Sequence, residues 1–241
     1  MNPVIIEDLI SIAANSTNDN VIVSNPSLRR YLRSPFACEG ELVATISAAG
    51  LVVDCDYGSK NVVSNYVPRI ESATQPMQDG LDTINDTFYP NEGEQLVLRV
   101  TNNTGGALNF RYRLTLYPRP ADNRPPDKRV TGSTVSIAAG AVDTQILDGN
   151  RYERPPVPSM LKVFMTASAA GLTRRVEVDT STIAPPSTIA PANRTPQDPF
   201  DLSVAGIEVP DDKQILLPVS NPTGGALTLF WRIELQEQYR S

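Results

Sequence analysis

The stretch Gln95-Leu96-Val97-Leu98-Arg99-Val100-Thr101-Asn102-Asn103-Thr104-Gly105-Gly106-Ala107-Leu108 recurs as Gln214-Ile215-Leu216-Leu217-Pro218-Val219-Ser220-Asn221-Pro222-Thr223-Gly224-Gly225-Ala226-Leu227, an offset of 119. Each copy runs on into a similar segment, Phe110-Arg111-Tyr112-Arg113-Leu114-Thr115-Leu116 and Leu229-Phe230-Trp231-Arg232-Ile233-Glu234-Leu235. Upstream, Ser47-Ala48-Ala49-Gly50-Leu51 matches Ser168-Ala169-Ala170-Gly171-Leu172 at an offset of 121, and Ile10-Ser11-Ile12-Ala13-Ala14 matches Val135-Ser136-Ile137-Ala138-Ala139 at 125. The matches keep their order, and the drift in offset needs only small loop insertions. A period of half the chain reads as an internal duplication. The expectation is two homologous domains, 1–118 and 131–241. Between them, 119–130 forms a connector, stiffened by the four prolines that fall within 118–127.

Within the first copy, alternation and turn residues predict extended runs at 9–13, 20–24, 41–47, 51–57, 61–67, 83–88, 94–101 and 108–117. The second copy repeats the scheme at 135–138, 144–147, 161–168, 172–179, 202–209, 213–220 and 227–236. Only 25–32 offers a helix, with Ser24 or Asn25 as cap and Pro26 in its first turn. The segment 183–191, rich in proline, reads as a long surface loop. Two tight hairpins are expected in the first copy. One turns at Gly50, and Gly171 is its counterpart; the other turns at Gly105 and Gly106, matched by Gly224 and Gly225. The paired glycines are read as supplying positive φ. On that basis Gly105→Val or Gly224→Val is expected to cripple folding. About eight short strands in some 115 residues suit an all-β fold of two tandem antiparallel β-sandwiches, jelly-roll or immunoglobulin-like. The sole tryptophan, Trp231, lies in the last run, which argues against the antibody pattern.

Period-2 spacing sends Leu98, Val100, Phe110, Tyr112, Leu114 and Leu116 to one side and Arg99, Arg111 and Arg113 to the other. The expectation is one packed face and one arginine face that is a candidate interface, with Arg232 retained in the second copy. Such arginines pair with carboxylates of a neighbouring subunit or keep a sheet face soluble.

Composition excludes much of enzymology. There is no histidine, so Ser-His-Asp and Cys-His catalysis and His-ligated zinc are absent. The formal charge of −6 makes a poor generic nucleic-acid binder, although 17 of the 21 cations are arginine. Asp54 and Asp56 share a strand face and are candidate Ca²⁺ ligands, as are Asp198 and Asp201 beside a loop; the bland alternative is a solvated acidic face. The Thr-Gly-Gly segments join strand to strand and lack a following lysine, so they are turns and not phosphate cradles. Cys38 and Cys55 are expected to be buried thiols. No catalytic constellation emerges and no cofactor is required. The sequence shows neither a basic-then-apolar leader nor a run of about 18 apolar residues.

Tandem sandwiches, proline-rich loops and the want of an active site together resemble viral capsid proteins with tandem, double jelly-roll-like domains, those of bacteriophages among them. The resemblance spans nearly the whole chain and rests on architecture, without a specific motif. It implies a virion structural protein that forms or decorates an icosahedral shell, as a trimer. Its partners would be copies of itself and other virion proteins, with no part for specific nucleic acid or for membranes. It would be made in the host cytoplasm and end in the capsid. Two other classes compete: an adhesin or glycan-binding module of a virion spike or fibre, using the end loops, and a carboxylate-based hydrolase.

Overall fold

Alternation of apolar and polar residues governs this chain, and strands form wherever it persists. The computed structural model describes residues 2–120, 125–196 and 201–238. It divides into two units, Met1–Val130 and Thr131–Ser241. The first holds β1 (Val4–Ile12), β2 (Ser16–Asn18), β3 (Cys38–Ile46), β4 (Leu51–Tyr57), β5 (Lys60–Tyr66), β6 (Arg69–Ile70), β7 (Thr83–Phe88), β8 (Leu96–Asn102) and β9 (Leu108–Pro118). β10 (Lys128–Ile137) carries the chain into the second unit. There follow β11 (Thr144–Gln145), β12 (Ser159–Ala167), β13 (Thr173–Val178), β14 (Ser181–Thr188), β15 (Leu202–Val209), β16 (Ile215–Leu216), β17 (Pro218–Ser220) and β18 (Leu227–Glu237). The chain is therefore all-β, and its sheets are largely antiparallel, with β3 and β6 a two-residue parallel pair.

In the first unit one sheet runs β1-β9-β3-β6, with β7 also on β3, and the other runs β2-β8-β4-β5. Their inner faces meet in a core containing Ile6, Ile46, Val53, Leu98, Phe110 and Leu114, each at most 1% exposed. The second unit places β15, β12 and β18 in one sheet and β11-β17-β13-β14 in another, with β16 also on β13. Its separate core includes Leu161, Val163, Val176, Leu217, Trp231 and Ile233.

Several sequence expectations change here. The predicted hairpins are corners between sheets: β3 and β9 lie in one sheet of the first unit, and β4 and β8 in the other. A short glycine-bearing link serves either geometry, and alternation names a strand's faces but not its neighbours. The paired glycines do not supply positive φ, since Gly105, Gly106, Gly224 and Gly225 all lie outside that region. A Cβ on any of them would meet nothing within 4 Å. At these links the glycines with positive φ are Gly50, at 116°, and Gly171, at 130°.

The run 20–24 is helical and not extended. A short helix, Val21–Ser24, is capped by Asn20, whose Oδ1 accepts from Ile22 N at 3.2 Å. Asn20 Nδ2 also donates to Leu96 O at 2.9 Å, which holds the turn against β8. The expected helix over 25–32 shrinks to a 3₁₀ turn, Arg29–Tyr31. The prolines of 183–191 do not prevent a strand. Among the described residues β14 pairs with β13 alone, so it is an edge where a missing N–H is tolerated, and the register shifts there absorb Pro185 and Pro186.

Of the expected connector, 121–124 lie outside the described residues. Its last residues are not a solvated spacer. Asp127 is buried, its carboxylate accepts from Tyr57 Oη at 2.5 Å and Tyr89 N at 3.1 Å, and Lys60 pairs with it. β10 starts at the next residue.

Candidate interaction surface

In each unit one corner between sheets, β8 to β9 in the first and β17 to β18 in the second, is held by a buried asparagine. Asn102 Nδ2 donates to Ile12 O at 3.0 Å and Gly106 O at 2.8 Å, while its Oδ1 accepts from Thr104 N and Thr104 Oγ1. Asn221 repeats the set, donating to Ile137 O and Gly225 O at 2.9 Å and accepting from Thr223 N and Thr223 Oγ1. Every polar atom of both amides is thus used, which burial at 1% and 0% exposure demands. The threonine methyl then fits against the other corner. A Cβ on Gly50 would sit 2.1 Å from Thr104 Cγ2, and one on Gly171 would sit 2.3 Å from Thr223 Cγ2. Ser47 and Ser168 also match, accepting from Asn109 N and Thr228 N through their hydroxyls.

The arginines expected on one face separate with the sheets. Arg99 lies on β8, and Arg111 and Arg113 lie on β9 in the other sheet, so no single arginine face exists. All three turn away from the core and pair within the chain. Arg99 lies 3.7 Å from Asp19 and 3.8 Å from Asp56, Arg111 Nε reaches Glu71 at 3.1 Å, and Arg113 pairs with Asp79. Glu71 also accepts from Thr45 Oγ1 at 2.9 Å. Asp56 lies on the neighbouring strand β4, whereas Asp19, Glu71 and Asp79 sit outside the strands, where no local spacing signals them. Arg232 is not an exposed contact residue: it is buried on β18, 2.5 Å from Glu234 and over the Phe164 ring at 5.9 Å.

On the outer side of the β1–β9 pair, register sets Ile5 opposite Thr115, Glu7 opposite Arg113 and Leu9 opposite Arg111. Ile5 is 58% exposed, Leu9 50% and Tyr117, diagonal to Ile5, 44%. Apolar side chains therefore interleave with neutralised charges, and among the described residues β1 pairs with β9 alone, leaving its other edge open. A groove of about 280 Å³ runs past Leu9, Ser47, Glu71, Ser72, Asn109 and Arg111. The prediction of 9–13 caught only the end of β1 and so missed Ile5. Val4-Ile5-Ile6-Glu7-Asp8 does not alternate, so period-2 spacing carries no sign of it.

In the second unit Arg175, also missed, bonds to Asp143 at 2.5 Å and Glu177 at 2.6 Å. Its guanidinium holds the Asp143 carboxyl below the usual carboxylate range. A groove of about 130 Å³ beside it is lined by Asp143, Thr173, Arg175, Pro186, Pro218 and Ser220.

The candidate calcium ligands do not converge. Asp54 accepts from Asn65 N at 3.1 Å, Asp56 accepts from Asn61 Nδ2 at 2.6 Å, and Asp201 is held by Arg194 at 2.5 Å. Asp198 lies outside the described residues. Among the described residues no three acids or cysteines come together as a metal site. Cys38 and Cys55 are free and buried, and burial pushes both thiols up, away from the reactive thiolate. Among the described residues no helix is long and apolar enough to cross a membrane.

No protein-family model matches the chain, and no curated protein matches it. Solved structures similar to it include the major capsid protein P2 of bacteriophage PM2, at 7% identity and a TM-score of 0.45 over 98% of this chain and 99% of that one. PNGase F, a glycosylasparaginase from Flavobacterium meningosepticum, is similar at 8% identity and a TM-score of 0.37 over 99% and 97%. A chain of Sulfolobus turreted icosahedral virus is similar at 8% and 0.21 over 98% and 93%. Identities below a tenth and TM-scores below 0.5 transfer no role to this chain.

Proposed function

We propose that this chain is a virion structural protein that forms or decorates an icosahedral shell through subunit contacts, as a trimer, and that it is not an enzyme. The observation that carries this reading is the outer side of β1 and β9. There exposed Ile5, Leu9 and Tyr117 alternate with ion-paired arginines beside an open strand edge. Such a surface stays soluble as a monomer, yet gains from being covered. The matched hydrogen bonds of Asn102 and Asn221 support an origin by duplication, giving one chain two similar sets of contacts. The engagement of Asp54, Asp56 and Asp201 by neutral or cationic partners supports a non-catalytic role.

Size-exclusion with light scattering, followed by electron microscopy, tests the reading. Trimers, sheets or shells are the expected result. A stable monomer that binds glycan saturably would overturn it in favour of the adhesin class.

A further inference from the structure

Three arginines stand apart from the pattern described above. Arg29, Arg30 and Arg33 fall within five residues on the 3₁₀ turn and its exit, all exposed. None has a carboxylate within ion-pair distance among the described residues. They are nevertheless held in place. Arg29 Nε donates to Val23 O at 3.1 Å, Arg33 Nη1 donates to Gly93 O at 2.9 Å, and the Arg30 guanidinium lies 4.7 Å over the Tyr31 ring. Leu28, Tyr31 and Leu32 pack against the first unit's core and anchor the segment. A guanidinium offers five N–H donors, so each head keeps most of its fork free after these contacts. Neutral partners have fixed the three positive groups without discharging them, which lowers the entropy cost of taking up an anion.

We propose that this arginine turn is a docking surface for the carboxylates of a second copy of the chain, the cationic half of a contact between subunits. The occupant follows from charge. The protein is acidic overall at −6, and Glu7, Glu92, Asp148, Glu208 and Asp212 are exposed without an ion pair among the described residues. Each copy thus offers surplus carboxylates and, at 29–33, a compact cationic patch. A polyanion such as nucleic acid would meet net repulsion from the rest of the molecule. A basic patch on one copy meeting acids elsewhere on the next is a head-to-tail contact, which closes into a ring when the rotation allows. The inference rests on the assembly reading above and names its polar contact.

The test reverses the patch in the full chain, Arg29→Glu with Arg30→Glu and Arg33→Glu, and follows assembly by light scattering. The triple variant should keep the wild-type melting temperature and self-associate at least about tenfold more weakly. Raising ionic strength from about 0.01 M to about 1 M, which shortens screening from about 30 Å to about 3 Å, should weaken wild-type assembly and hardly touch the variant. Arg→Lys at the three positions should fall between the two, keeping charge and losing the fork. Wild-type assembly by the triple variant overturns this inference and leaves the assembly reading standing. A wild type that stays monomeric overturns both. A monomer that binds double-stranded DNA through these arginines at physiological salt assigns the patch to phosphate and also overturns the inference.

Discussion

Strands β9 and β18 carry the same alternation but treat their outward arginines in opposite ways. On β9, Arg111 and Arg113 are partly exposed and reach carboxylates in distant loops, Glu71 and Asp79. On β18, Arg232 is buried and bonds to Glu234, two residues along its own strand. Surface pairs gain little because water screens them and two long side chains must be ordered. A buried pair is different in kind, since removing one partner strands the other charge without water. The first unit's arginines therefore condition a surface, and the second unit's arginine belongs to the interior.

The largest expected effect breaks that contrast if it fails. Arg232→Ala should cost about 2 kcal/mol or more in urea unfolding, because the Glu234 carboxylate stays buried with one cationic partner fewer. Arg111→Ala should cost no more than about 1 kcal/mol. Equal losses would show that the two strands do not differ as described.

The corners make the opposite claim, of equivalence. Asn102→Ala and Asn221→Ala should each cost about 1–3 kcal/mol, from carbonyls and amides left without partners. The same melting experiment on both variants sharpens the point, and a gap above about 1 kcal/mol would mean that the corners are not alike.

Gly50→Ala and Gly171→Ala should each lose about 1–3 kcal/mol, from left-handed backbone and collision with a threonine methyl. Gly50→Ala combined with Thr104→Ser should recover part of that. Gly105→Ala and Gly224→Ala should stay within about 0.5 kcal/mol. A large loss there would restore the paired-glycine reading of the turn.

The smallest effect is in acid. Arg175 lowers the pKa of Asp143, and Lys213, with a backbone bond from Gln214, lowers that of Asp179. A depressed carboxyl adds stability that is complete above its unfolded value, about 4, and is lost as pH falls through the folded value. Asp143→Asn should therefore lose stability less steeply than wild type below about pH 4, as read by thermal melts across pH.

Much of this is legible in the sequence. β4, β7 and β15 lie where alternation put them, because bounded strands with an apolar face leave a period-2 record. The chemistry of the corners was visible as a repeated Asn-X-Thr-Gly-Gly. What the corners join was not, since a link of a few residues can turn within a sheet or cross between two. The arginine face dissolved for the same reason: a strand's faces are written locally, but sheet membership depends on residues a hundred positions away. Glu71 and Asp79 lie in loops without periodicity, and nothing near Arg111 or Arg113 announces them. The burial of Arg232 was illegible too, because an arginine flanked by apolar residues reads alike on an exposed and a covered strand.

β1 has a further consequence, in time and not in space. Its sheet neighbour is β9, with Val4 opposite Leu116 and Ile12 opposite Leu108. During synthesis the opening strand is made first and then waits while some hundred residues are added before its partner emerges. Over that interval Ile5, Ile6, Leu9 and Ile10 have no sheet to join, and long-range pairing of this kind is slow and exposed to aggregation. Glu7 and Asp8 put two charges in the middle of that apolar run, the placement that lowers the tendency of such a segment to pair with another copy.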